Sequence, residues 1–360
     1  MARVDVLIPA YNAATTLREA VESVCTQTER DLRIVIVNDG STDNTAALAH
    51  ELARADSRVH VVTTENRGIV ETRNELLRQA DAEFIACLDA DDASFPHRIA
   101  RELEFLAANP DCSAVGSAVE HVDEHGAPLP HMQQPTPPED ADAERAPARE
   151  PYIIQSTLLA RRAAVDAVGG YRHVPNSEDS DLFWRMLEHG RLVNLPEKLG
   201  RYRVHTSSVS SSMVNGRIMA IGSQLGALSA QRRKTGKPDI GFSYAMHEAL
   251  KRAASLEGMY AIACEQLDAA ERQHLRIAAS AKLMELASYR PYELDAADCA
   301  FVRAALPQAK HLAPQNQKEM GWYITVTAAR LLRKRMFAEA FALTPPHNYP
   351  VAAARVLLQR

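Results

Sequence analysis

Residues 4 to 110 alternate short apolar runs with stretches whose apolar positions recur at helical spacing. The pattern predicts strands over 4–8, 32–37, 58–63 and 84–88, and helices over about 15–27, 43–55, 68–79 and 95–108. Repeated strand–helix units imply a mostly parallel sheet with helices on both faces. Residues 112–126 read as a further strand and a turn, 153–159 as a strand, and 163–168 as a short helix closed by Gly169-Gly170. Closing strands are expected over 191–195 and 200–203. Beyond 213 the pattern changes: 214–234, 243–288, 295–306 and 315–343 are rich in alanine and leucine at helical spacing. They are broken at Gly236-Lys237-Pro238, Pro291, Pro307, Pro314 and Pro345-Pro346, which predicts an all-α region of about six helices. The expected division is therefore an α/β domain over 1–213, itself in halves 1–110 and 111–213, and an α-helical domain over 214–360.

The four early strands all end in polar residues, on the edge where open α/β sheets bind ligands. The first runs into Pro9-Ala10-Tyr11-Asn12, with Thr16 and Glu19 spaced as a capping box. The second ends in Asn38-Asp39-Gly40-Ser41-Thr42-Asp43, where Ser41 or Thr42 is placed to cap a helix. The third leads to Glu65-Asn66-Arg67-Gly68, then to Arg73 and Asn74 one turn into a helix. The fourth, Phe84 to Leu88, stops at Asp89-Ala90-Asp91-Asp92, followed by Ser94 and Pro96 in the pattern of a helix start. On extended backbone Asp89 and Asp91 point to one side and can share a hard cation. Each loop taken alone also reads as a solvated turn or a cap. Together, four polar loops on one edge suit a nucleotide pocket, with carboxylates for a base N–H and a metal and arginine for carbonyl or phosphate.

A second acidic stretch, Asn176-Ser177-Glu178-Asp179-Ser180-Asp181, opens an apolar helix, and the positive end of the helix dipole accounts for one such acid more readily than for three. Tyr202-Arg203-Val204-His205 follows the last strand. A lone histidine is structural as often as it is a ligand.

Ile-Pro-Ala-Tyr-Asn near the start, Val-Asn-Asp-Gly-Ser-Thr-Asp-Asn-Thr, Asn-Arg-Gly followed by Thr-Arg-Asn, and Leu-Asp-Ala-Asp-Asp, in this order, resemble the family 2 glycosyltransferases. The resemblance spans roughly residues 3–210. It implies the glycosyltransferase A (GT-A) fold, with a nucleotide-sugar-binding half followed by an acceptor and catalytic half. It also implies inverting transfer of a hexosyl or N-acetylhexosaminyl group from a nucleotide sugar, UDP-linked by analogy, to a glycan or lipid-linked acceptor in surface polysaccharide synthesis. On that likeness the donor site comprises Pro9, Ala10, Tyr11, Asn12, Asp39, Asn66, Gly68, Arg73, Asp89, Ala90 and Asp91. Asp39 would pair with uracil, Asp89 would lie near the ribose, and Asp91 would hold Mn2+ or Mg2+ as part of the Asp-x-Asp motif, with His205 completing the metal site. Asp179 matches the family's general base, and Glu178, Asp92 and Arg203 stand as secondary or acceptor-side residues.

The net charge of −5 hides an asymmetry: residues 1–210 carry 21 basic and 34 acidic side chains, and 211–360 carry 20 and 12. The basic surplus gathers at Arg232-Arg233-Lys234 with Lys237, and at Arg330 with Arg333-Lys334-Arg335. Such clusters are usually solvated faces or helix C-termini; they also admit contact with an anionic membrane surface or a lipid diphosphate. Nucleic acid is disfavoured because aromatic residues are not interleaved with the cations. Residues 127–151, with seven prolines, read as loop on the acceptor side of such a fold. No apolar run reaches the roughly 20 residues that span a bilayer. The start reads as a first strand rather than a signal peptide, and the five cysteines lack paired spacing, so the expectation is a reduced, cytoplasmic protein at most peripheral to the inner face of the membrane. The helical region offers a surface for self-association. Two other readings remain at this point. A sugar-phosphate nucleotidyltransferase would want a glycine-rich basic loop after the first strand, which Pro9-Ala10-Tyr11-Asn12 does not supply. A non-catalytic nucleotide-sugar-binding scaffold would have no use for the acids facing one cleft.

Overall fold

In the computed structural model of the chain, residues 2–130, 132, 134–205, 212–290, 292–310 and 312–358 are described. The apolar runs form β1 (Val4–Ala10), β2 (Leu32–Asp39), β3 (Val59–Thr64) and β4 (Phe84–Cys87), all parallel to one another. Between them lie α1 (Leu17–Cys25), α2 (Thr45–Ala55) and α3 (Ile69–Gln79), and after them a two-residue β5 (Ala93–Ser94) and α4 (Arg98–Ala108). Then come β6 (Cys112–Val122), β7 (Leu159–Arg161), α5 (Arg162–Ala167), α6 (Glu178–Met186) and β8 (Arg191–Arg203). The eight strands make one mixed sheet in the order β3-β2-β1-β4-β7-β6-β8-β5, with β7 antiparallel to both neighbours. Alternation within the strands splits the core in two. Val4, Val6 and Ile8 pack with Leu17, Val21, Leu48, Ile99 and Leu103 on one face. Leu7, Val35 and Val37 pack with Val70, Leu76, Leu182 and Phe183 on the other. The acid inside the first strand, Asp5, is fully buried and accepts from Arg33 and from the backbone N–H groups of Asp81 and Ala82.

Several boundaries differ from the sequence reading, each for a local reason. The 153–159 stretch is a strand only from Leu159, because Gln155–Thr157 form a 3-10 turn. The two closing strands are one: β8 runs through Pro196, which sits with Glu197 in a bulge opposite the Ser117–Ala118 step. Proline, which has no N–H to give a ladder, is accommodated at such bulges. Ser94 does not cap α4; it belongs to β5, and its hydroxyl accepts from Arg98. Thr16 and Glu19 do not form a capping box, since the Glu19 carboxylate is taken by Arg203 at 2.7 Å. The residue preceding α2 is Asn44, not Ser41 or Thr42.

The chain divides into two compact units: 1–141, 151–172 and 178–205 form the first, and 142–150, 173–177 and 206–360 the second. Described helices of the second are α7 (Met213–Lys234), α8 (Tyr244–Arg252), α9 (Leu256–Ala263), α10 (Ala269–Tyr289), α11 (Ala296–Ala309), α12 (Pro314–Arg333), α13 (Phe337–Leu343) and α14 (Tyr349–Leu358). There are eight rather than about six: Ser255 and Asp268 cap new helices inside the 243–288 stretch, α13 separates from α12 after Arg335 at φ +61°, and α14 lies beyond the stretches read as helical. Pro307 does not interrupt α11, lying in its last turn, and Pro314 occupies the first turn of α12. The 173–177 segment lies against α7, where a Cβ on Gly222 would come within 1.9 Å of the Pro175 carbonyl oxygen. Much of the basic surplus is paired locally: Arg232 with Glu271, Arg233 with Asp239, Lys237 with Asp268, and Arg330 and Lys334 with Glu293. Among the described residues no helix is long and apolar enough to cross a membrane.

Candidate active site

The polar residues at the strand ends lock their loops to one another. The Asn12 N–H donates to Ser41 Oγ (3.0 Å), and Asn12 Oδ1 accepts from the Thr42 N–H (2.9 Å). Asp39, 4% exposed at the end of β2, accepts the backbone N–H groups of Arg67 (2.8 Å) and Gly68 (2.9 Å), one on each oxygen. Its carboxylate thus fixes the β3–α3 loop; Oδ1 also accepts from the Thr64 hydroxyl at 3.5 Å, and Oδ2 keeps a lone pair for a ligand. Gly40 completes the arrangement, since at φ +64° an added Cβ would lie 2.6 Å from the backbone nitrogen of Asn66. Tyr11 and Asn66 are exposed on this edge.

The three acids after β4 have three different environments. Asp89 faces Arg73 at 3.5 Å. Asp91 lies 3.0 Å from His205 Nε2, and its side chain is 40% exposed. Burial and the neighbouring Asp89 push its carboxyl up, an effect that His205 opposes. Asp92 turns inward, 3% exposed, accepting from the Ser156 hydroxyl and from the Arg203 backbone N–H (2.7 Å). Burial, then Asp91 and Asp89, push its carboxyl well above the usual range. Asp92 is therefore a framework residue of the turn.

Arg203 is also turned inward. Its Nε donates to the Asp91 carbonyl (2.9 Å), one terminal nitrogen to Glu19 (2.7 Å), and the other to the carbonyls of Asp123 and Glu124 at 3.4 and 3.3 Å. One side chain thereby ties the acidic turn, α1 and the turn after β6 to the end of β8, two residues before His205.

Arg73, 9% exposed, connects the two halves of this edge. It meets Glu178 at 2.9 Å as well as Asp89, and stands over the Tyr171 ring at 5.5 Å. Burial works against its charge, but Asp89 and Glu178 outweigh it and hold the guanidinium firmly charged. Asp179 follows Glu178 on the first turn of α6, half-buried, with Oδ1 accepting the Ser180 N–H at 2.7 Å. The third acid of that stretch, Asp181, points away from this edge into the protein, 1% exposed and paired with Arg172 and Arg185.

Residues with no sequence signal share the work. Ser156 donates to Asp92 and accepts the Asp89 N–H at 3.1 Å, yet it lies in an apolar run that reads as strand. Tyr171 exchanges backbone hydrogen bonds with the Asn74 side chain, both at 2.9 Å, and with Gln155, Leu7 and Pro9 lines a small recess against Arg73 and Asp89.

Among the described residues no group of three or more His, Cys, Asp or Glu side chains could hold a metal. Asp91 and His205 supply two donors on the accessible side of the turn, with Asp89 next along. That set suits a hard divalent cation, which commonly takes one or two protein ligands and completes its shell with water and substrate phosphate oxygens.

A sheet of this order with its acidic turn beyond β4 is the GT-A fold of glycosyltransferases. The mannosyltransferase PcManGT from Pyrobaculum calidifontis, solved with GDP-Man and Mn2+, superposes with a TM-score of 0.52 at 18% identity, covering 100% of this chain and 88% of that one. Residues 1–349 of TarS from S. aureus give 0.50 at 17% identity, covering 92% and 91%. In sequence, the model of glycosyl transferase family 2 matches residues 5–169. EpsE of Bacillus subtilis, assigned as a glycosyltransferase, is 30% identical over 207 residues, 56% of this chain and 73% of that one. TuaG of the same organism, assigned to glycosyl transfer in teichuronic acid biosynthesis, is 28% identical over 217 residues, 58% and 82% of the two chains. The chain belongs to glycosyl transferase family 2 and is a glycosyltransferase.

Proposed function

We propose that the protein transfers a sugar, with inversion, from a UDP-sugar to a hydroxyl of a glycan or lipid-linked acceptor in surface polysaccharide synthesis. The observation that carries the reading is the Arg73 bridge. By pairing with Asp89 and Glu178 it brings the acidic turn and the start of α6 to one edge of the sheet, the donor acids beside Asp179. The TuaG relative, assigned to teichuronic acid biosynthesis, supports the polysaccharide setting.

In this mechanism Asp39 with the Asn66–Gly68 loop receives the base, and Pro9 to Asn12 line its approach. Asp89 lies toward the ribose, while Asp91 and His205 would hold Mn2+ or Mg2+ on the diphosphate side of the turn. When bound, such a cation would supply positive charge where the leaving diphosphate gains negative charge. Asp179 takes the proton of the acceptor hydroxyl as that oxygen bonds to the anomeric carbon. The anomeric carbon–oxygen bond to the diphosphate breaks, and the nucleoside diphosphate departs with the electron pair. Single displacement needs one base only.

Titration calorimetry with UDP, GDP and dTDP, each with Mn2+ and with EDTA, tests the donor site. UDP should bind only with Mn2+, and Asp91→Ala should weaken it at least about tenfold. Preference for GDP would replace uridine by guanosine, as in the GDP-Man complex of PcManGT. Binding of none of the three would overturn the donor reading. Arg203→Ala should weaken Mn2+ binding, followed by paramagnetic resonance, by about 10- to 100-fold, because the Asp91 backbone and the approach to His205 lose their shared anchor. Arg203→Lys should not restore it, since one ammonium cannot reproduce the guanidinium fork.

A further inference from the structure

Among the described residues the exposed positions of the last two helices are all apolar, Glu339 and Arg355 being half-buried. On α13 the inward side is Ala340 and Leu343, while Phe337, Ala338, Phe341 and Ala342 are exposed, with both phenylalanines more than half accessible. Residues four apart on a helix stack along one face, so the two rings form a ridge, and Phe341 extends it through an edge contact to Tyr349 of α14. On α14, Val351, Ala353 and Ala354 are exposed and Ala352 is buried. A surface helix normally turns charge outward. Here the charge precedes the ridge in the chain: Arg333 ends α12, and Lys334, paired with Glu293, and Arg335 lead on to Phe337, all three exposed. Residues 320–360 carry six Lys or Arg against a single acid, Glu339.

We propose that this face is a docking surface for an anionic lipid bilayer, with Phe337 and Phe341 entering the headgroup boundary and Arg333 and Arg335 on the side of the lipid phosphates. Apolar rings flanked by cations are the combination that holds a helix in a membrane interface. A second copy of the chain fits less well. A two-fold contact over the ridge would bring the two Arg333-Lys334-Arg335 clusters toward each other. The exposed part of Phe337, Phe341 and Val351 is also only on the order of 300 Å2, below the roughly 800 Å2 per partner of a stable interface. The surface is independent of the donor site, so nucleotide binding and lipid binding stand or fall separately.

The test is sedimentation of the full chain with vesicles of phosphatidylcholine alone and with 30 mol % phosphatidylglycerol, at low and at high salt. Binding should require phosphatidylglycerol and fall with salt. The double variant Phe337→Ser/Phe341→Ser should lose at least about tenfold in vesicle affinity with an unchanged circular dichroism spectrum. Arg333→Gln/Arg335→Gln should weaken binding and flatten its salt dependence. Three results would overturn the proposal: no binding to phosphatidylglycerol vesicles, binding indifferent to the phenylalanine changes, or a dimer by light scattering that those changes convert to monomer.

Discussion

Asp179→Asn should leave a folded protein that binds the donor nucleotide as the wild type does and turns over about 10^2- to 10^4-fold more slowly, the usual contribution of a positioned general base. The exchange is nearly isosteric, keeps an acceptor for the Ser180 N–H, and touches a half-buried side chain at a helix start, so stability should change little. Asp181→Asn provides the contrast. That side chain is buried between Arg172 and Arg185, and its loss should appear in the melting temperature before it appears in turnover of the folded fraction. Product formation measured beside calorimetric donor affinity separates the two. If Asp179→Asn kept near wild-type turnover, the base would have to be sought elsewhere.

The second large effect lies beneath the acidic turn. Arg98 and Glu102 are both wholly buried and form an ion pair at 3.2 Å on one face of α4. Arg98 also donates to Ser94 Oγ (3.0 Å) and to the Leu158 carbonyl (3.1 Å), joining α4 to β5 and to the residue before β7. Glu102→Ala should cost about 3–5 kcal/mol in urea unfolding, because it strands a buried guanidinium. Glu102→Gln should cost far less, since an amide oxygen still accepts from Arg98, and its comparison with the wild type should depend on pH. Burial pushes the Glu102 carboxyl up from 4.5 to about 7, against the pull of Arg98. A group raised on folding gives stability that is complete below its unfolded value and is lost as pH rises through the folded one. The wild type should therefore lose stability relative to Glu102→Gln between about pH 4.5 and 7. A gap that stayed constant would mean that folding leaves the carboxyl unshifted, and one that moved the other way would mean that the ionised pair is net favourable.

How much was legible in the sequence follows from the range of the forces involved. Hydrophobic periodicity is local, so the chain itself marked the early strands and helices within a few residues and the change to an all-α region after 213. The resemblance rested on short polar motifs at strand ends, and the family match over residues 5–169 agrees with it. Local signals also misled. A Ser, Thr or Glu suited to a cap is equally suited to a distant partner, and tertiary contacts claimed Ser94 for Arg98 and Glu19 for Arg203. The sequence supplied Asp89, Asp91 and Asp92 as one acidic run and Glu178, Asp179 and Asp181 as another. Only the tertiary structure divided each run into accessible and buried members, because that division depends on where Ser156, Arg172 and Arg203 arrive from outside each run. The chain by itself determined the sheet, the helices and the inventory of charged groups. Which of those charges are left facing the cleft was decided by folding, since burying a carboxylate is tolerated only where a distant donor meets it.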